Sequence, residues 1–149
     1  ERAIFFVKGV VETIKKLNWV PDVIHVHGWL ASLLPLYMKE YYKNETIFSD
    51  TKIVTSIFSD GYQDVLSPNM LEKVAFDEFE PSKIDMFKEA TYVNLMKNAI
   101  DFSDGVIVSS ENINEDLTKY IHSSGKPFLP FSAKENMSET YTDFYLNKV

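Results

Sequence analysis

The 149-residue chain is 45% hydrophobic and 14% aromatic, enough apolar material for one packed core in a single domain. Its 22 acidic and 15 basic residues leave a net charge of −7 with no basic stripe, which argues against a nucleic-acid partner, whose phosphates demand concentrated positive charge. The absence of cysteine excludes disulfides, thiolate metal sites and a cysteine nucleophile and points to a reducing, cytoplasmic home, and no apolar run approaches the roughly 20 residues that cross a bilayer, so no membrane partner is expected.

Residues 2–17 carry Ile4, Phe5, Val7, Val11, Ile14 and Leu17 at helical spacing, which predicts a helix with those residues on its apolar face. Residues 22–26 are a short β-branched run whose only polar members are histidine and aspartate, the pattern of a parallel strand covered on both faces. A helix is predicted over 30–43, with Pro35 in its first turns, where a missing N–H costs least. A second strand follows over 51–58, and Pro68 can open a helix in the polar and aromatic stretch 67–80. Ile84, Phe87, Tyr92, Leu95, Met96, Ala99 and Ile100 predict one long helix over 84–102. A third strand at 105–110, a helix at 112–121, a strand or extended segment in "KPFLPF" and a last amphipathic helix at 138–149, with Ser138 as its N-cap, complete the order. Helix and strand alternate at intervals that suit right-handed crossovers, so the expected fold class is α/β, a Rossmann-like parallel sheet flanked by helices.

In such sheets ligands bind where the carboxyl ends of strands meet the loops that follow. His25 and His27 share one strand face, and His27 is the nearer to that end. Gly28 permits a tight turn, and the next helix directs free N–H groups at whatever lies beside it. A neutral imidazole at His27 could donate to a sugar hydroxyl or carbonyl oxygen; the other reading makes both histidines core residues bonded to backbone. The remaining histidine, His122, is predicted on a distant helix end, so neither a metal site nor a cofactor is expected. Ser59, Asp60, Gly61, Tyr62 and Gln63 at the second strand's end form either a hydrogen-bonding loop for a ligand or an ordinary turn. Ser109 and Ser110, with Asn112, read as caps of the next helix, and no G-x-S-x-G surrounds them to make a nucleophile. Glu72 and Glu80 read as solvated surface, and Phe76, Phe79 and Phe87 as packing.

Taken together, "KLNWVPDVIHVHGWLASLLPLYMK" and "MKNAIDFSDGVIVSSENINEDL" resemble segments of the bacterial glycogen synthase and plant starch synthase family of two-lobed (GT-B) glycosyltransferases. The first matches K-P-D-I-I-H-x-H-D-W-x-x-x-L-x-P-x-Y-L through Trp29, Pro35 and Tyr37; in the second, Lys97, Asp104, Ser110 and Leu117 fall in place. The resemblance implies an acceptor-side lobe over 1–149, with an α-glucan and a nucleotide-glucose, ADP-glucose or UDP-glucose, as partners. It implies retaining transfer of glucose to an α-1,4-glucan, with His27 touching the transferred glucose; Gly28, Trp29, Ser59, Asp60, Tyr62 and Gln63, at the same strand ends, are the residues expected on the substrate side.

Departures from the pattern are specific. Phe58 stands where the family has a site histidine, Gly28 where it has aspartate, Leu30 where histidine is frequent and Glu111 where it has proline. The family's E-x7-E motif belongs to the donor lobe, so the pair Glu72 and Glu80 matches it by coincidence, and the lysine-and-glycine-rich first strand is expected upstream of Glu1. Tyr141, Phe144, Tyr145 and Val149 resemble the crossover helix that closes two-lobed transferases, which implies that Val149 lies near a natural C-terminus with no donor lobe in between. Two functional readings stand: a synthase-like transferase domain inactive as this chain alone, and a non-catalytic glucan-binding or regulatory module on the same fold. A Rossmann-like domain with a ligand unrelated to sugar is a third.

Overall fold

The computed structural model describes residues 1–59, 61–133 and 137–149. Four parallel strands, β1 (Val23–His27), β2 (Lys52–Ile57), β3 (Gly105–Val108) and β4 (Phe128–Leu129), lie in the sheet in chain order. In register, His25 faces Val54, His27 faces Ser56 and Ser56 faces Ile107. Parallel neighbours require a crossover, and helical segments occupy each one. The α/β class read from the alternation is therefore the fold observed.

The helices divide unequally between the two faces. Successive parallel crossovers of one hand keep their helices on one side. On that side α1 (Arg2–Lys16), α3 (Met70–Ala75) and α5 (Tyr92–Asp101) bury Val7, Val74 and Leu95 in a cluster with Val26 and Ile53 of the sheet. Further along, α5 and α6 (Glu115–Ser123) pack Met96, Leu117 and Ile121 on Ile57 and Val106. The opposite face carries α7 (Met137–Asn147), whose Phe144 is 3% exposed against Val54 and Ile107. Among the described residues no helix is long and apolar enough to cross a membrane.

Several predicted elements change shape for local reasons. The apolar face of α1 is Ala3, Val7, Val11 and Ile14, whereas Phe5 is 82% and Leu17 69% exposed. The helix predicted over 30–43 is broken into a 3-10 turn Trp29–Ala31, an α-turn Leu34–Leu36 (α2) and a π-turn Tyr37–Tyr41. Pro35 cannot donate a backbone hydrogen bond, and the segment exits through a wide Tyr42 N–H to Tyr37 carbonyl bond of 2.9 Å. The helix predicted over 84–102 is three pieces: α4 (Pro81–Ile84), a 3-10 segment Asp85–Glu89, and α5, which starts afresh because Thr91 Oγ1 accepts from Asn94 N–H at 3.2 Å. The helix after β3 begins at Glu115, capped by Asn114, whose Oδ1 accepts from Asp116 N–H. Ser138 lies inside α7, where its carbonyl accepts from Thr142, and does not cap it.

Candidate functional site

The carboxyl ends of β2 and β3 open into a cleft of about 740 Å³. Its floor is the end of β2 and the loop beyond it, with Phe58, Ser59, Gly61, Tyr62 and Gln63 in the lining. One wall is the start of α5, with Thr91, Tyr92, Asn94 and Lys97; the other is the approach to α6, with Asn112, Asn114 and Asp116. The loop is fixed from below: Tyr92 Oη donates to the Phe58 carbonyl at 2.7 Å and Tyr62 Oη to the Ala90 carbonyl at 2.9 Å. Gly61 is required there, since a Cβ would come within 2.5–2.9 Å of the Tyr92 ring. The Ser59 N–H donates to Ser110 Oγ at 3.1 Å, so Ser110 tethers this loop rather than capping α6.

The cleft unites four of the five residues singled out at the end of the second strand, Ser59, Gly61, Tyr62 and Gln63, with Asn112 after the third; Asp60 lies outside the described residues. Trp29 is half-buried and meets the Tyr62 ring edge-on at 5.6 Å, behind the lining. Gly28, just before it, has φ +71° and ψ 170°, a backbone region in which glycine alone is at ease. His27 is exposed at the end of β1, outside the lining, with its ring 6.0 Å from that of Phe58. Sequence reasoning did not assign Asn94, Lys97 or Asn114 to a site. The signal available for the two asparagines was their place at helix starts beside strand ends; for Lys97 it was the family match alone.

The two histidines differ in environment. The His25 ring is half-buried, with Nε2 2.7 Å from Ser56 Oγ and Nδ1 2.6 Å from Tyr145 Oη. Burial, and secondarily the neighbouring His27, push its pKa down to about 4. His27 stacks 4.0 Å from His25 at a tilt of 39°, and partial loss of hydration lowers its pKa below the ordinary value. Both imidazoles are therefore neutral at pH 7, able to donate from one nitrogen and accept at the other. His122 is exposed in the last turn of α6, edge-on to Phe128. Glu72 and Glu80 are exposed as well, on α3 and at the start of α4. Of the three phenylalanines read as packing, Phe79 and Phe87 are buried, but Phe76 is 87% exposed.

Comparison with known proteins gives a consistent picture. Residues 1–126 match the family described as "Starch synthase catalytic domain". The chain is 33% identical to a glycogen synthase of Chlorobium limicola over 110 residues, 74% of this chain and 22% of that protein. It is 30% identical to a glycogen synthase of Clostridium perfringens and 32% identical to one of Thermotoga petrophila, each over 78% of this chain and 24% of the relative. The chain thus spans about a quarter of the length of these curated relatives. No solved structure matches it.

Proposed function

Because the chain belongs to the family of starch synthase catalytic domains, we propose that it is the acceptor-side lobe of a two-lobed glycogen or starch synthase-like glycosyltransferase and that its cleft receives an α-1,4-glucan. The observation that carries this reading is the chemistry of the lining. Ser59, Gln63, Asn94, Asn112 and Asn114 offer hydroxyl and amide groups that donate and accept, and Phe58, Tyr62 and Tyr92 set aromatic rings among them. That mixture suits a neutral, many-hydroxyl chain with apolar C–H faces. In this reading His27, neutral at the adjoining strand end, contacts the glucose being transferred, with Gly28 and Trp29 shaping the turn behind it.

The same lining argues against turnover by this chain alone. Retaining transfer from ADP-glucose or UDP-glucose requires the departing diphosphate to be stabilised by cations or aimed N–H groups. Lys97 is the one cationic side chain among the described lining residues, and it stands with Glu89 and Asp116, its ammonium 5.3 Å from the Tyr120 ring. Glucan binding without transfer is the activity we expect of these 149 residues. The cytoplasmic location expected from a cysteine-free sequence belongs to the same proposal.

Calorimetric titration of the chain with maltoheptaose tests the reading. Weak binding is expected, reduced several-fold by His27→Ala and unchanged by His122→Ala. No binding by the parent chain would assign the cleft to a ligand of another class. Incubation with radiolabelled ADP-glucose or UDP-glucose and glycogen should give no incorporation, and robust incorporation would overturn the second half of the proposal.

A further inference from the structure

On the α7 face, four side chains form a hydrogen-bonded chain that crosses three elements of the sheet and its cover. Ser109, just past β3, donates to Ser56 Oγ of β2 at 2.9 Å. Ser56 is fully buried, and its own proton then has His25 Nε2 of β1, 2.7 Å away, as its acceptor. This places the imidazole proton on Nδ1, where it meets Tyr145 Oη of α7 at 2.6 Å. The polar contact from α7 to the sheet is thus made to a neutral histidine. The helix is also held by apolar packing: Phe144 lies on Val54 and Ile107, with Tyr141 and Val149 at the margin.

A second proton on His25 would sit on Nε2; it leaves the Nδ1–H bond to Tyr145 in place but puts a charge on a half-buried ring that no carboxylate faces among the described groups packed on it. Nε2 would have to donate to a hydroxyl whose own proton already points at it, leaving a buried Ser56 proton without its acceptor. The titratable groups facing the ring are His27 from β1, 4.0 Å away, and Tyr141 and Tyr145 from α7, each with ring centroids at 5.7 Å; β2 presents the Ser56 hydroxyl. His27 repels an imidazolium, and the two tyrosines help keep water from it. Because α7 supplies part of that burial, docking of α7 and protonation of His25 oppose one another by linkage. We propose that His25 is a pH-sensitive latch for α7: the neutral imidazole can be covered by the helix, whereas a protonated ring, charged and half-buried beneath α7, favours undocking of the helix.

Hydrogen–deuterium exchange of the intact chain, corrected for the intrinsic pH dependence of amide exchange, tests this without reference to any ligand. Between pH 7 and pH 5 the protection of residues 137–147 should fall about tenfold, while that of 92–101 in α5 holds. His25→Gln, neutral at every pH, should leave protection of α7 independent of pH. Tyr145→Phe, which keeps the imidazole but removes its partner, should lower α7 protection at pH 7 several-fold and shrink the pH effect. Protection of α7 that stays constant from pH 7 to pH 5, an equal fall in α5, or an equal fall in the folded His25→Gln variant would overturn the latch. Maltoheptaose binding at pH 7 plays no part in the outcome, so failure of the latch and failure of the glucan reading are separate results.

Discussion

Two glycines show how different physical demands select the same residue. At Gly28 nothing lies within 4 Å of a built Cβ, yet φ +71° with ψ 170° is a region L side chains avoid. At Gly105 the backbone is ordinary strand, but a Cβ would lie 2.8 Å from Val149 Cγ2 and 3.1 Å from the Phe144 ring. Gly28→Ala should therefore cost about 1–3 kcal/mol through backbone strain. Gly105→Val should cost a similar ~1–3 kcal/mol through overpacking against α7. Urea unfolding of both variants, with truncation of Val149 in the Gly105→Val background, separates the causes. Truncation should recover part of the second loss; if it recovers none, close approach of α7 is not what requires glycine there. The turn at Gly28 was legible beside a strand end. Nothing near Gly105 in sequence announces a helix that begins more than thirty residues later, and the partner of His25 was hidden in the same way, since Tyr145 is 120 residues distant.

At the scale of elements, periodicity was a sound guide to existence and a poor one to continuity. Ile84, Phe87, Tyr92 and Leu95 are all buried, so the spacing did report a shared core. It could not report that the chain turns between Phe87 and Tyr92, where Ala90 has ψ 55° and Thr91 restarts the helix. The T-x-x-N sequence at 91–94 held the missing signal, a cap in place of an interior residue. That restart has a consequence for the site, because it brings Asn94 and Lys97 to the cleft wall at the beginning of α5. Thr91→Ala should lower stability by about 1 kcal/mol, the usual cost of a lost N-cap. Thr91→Ser, which keeps the accepting oxygen, should lose much less. Equal losses in the two variants would mean that the methyl group, not the cap bond, holds the start of α5. The face of α1 failed for another reason: Phe5 and Phe76 stand exposed beside a shallow groove between α1 and α3, and hydrophobicity alone does not tell an inward from an outward phenylalanine.

For the whole molecule, the titrating side chains with the strongest burial effects set a stability window with two opposed flanks. Histidine unfolds to a pKa near 6.5. In the fold His25 is held at about 4 and His27 is also lowered, both first by burial, so the native state favours the neutral rings. Their contribution is complete above the unfolded value and drains away as pH falls below about 6.5, for His25 down toward 4, because the unfolded chain then binds protons that the native chain refuses. Tyrosine works in the reverse sense. Tyr37, Tyr42 and Tyr62 are raised above the ordinary phenol range by burial, reinforced at Tyr37 by a 2.5 Å bond to Asp77, and Tyr120 is pushed up to about 12. The fold favours the protonated phenols, so their contribution is complete below a pKa of about 10 and is lost as pH rises beyond it. Burial also raises the Asp101 carboxyl, which opposes the histidine effect as its own range is approached. Urea midpoints measured across pH should therefore form a plateau between about pH 7 and 9.5 and decline on both sides. His25→Gln should flatten the acid flank between pH 6.5 and 5 while leaving the alkaline flank in place. A midpoint constant from pH 8 to pH 5 in the parent chain would contradict the burial of His25 behind α7, and with it the enclosure of that sheet face on which the latch depends.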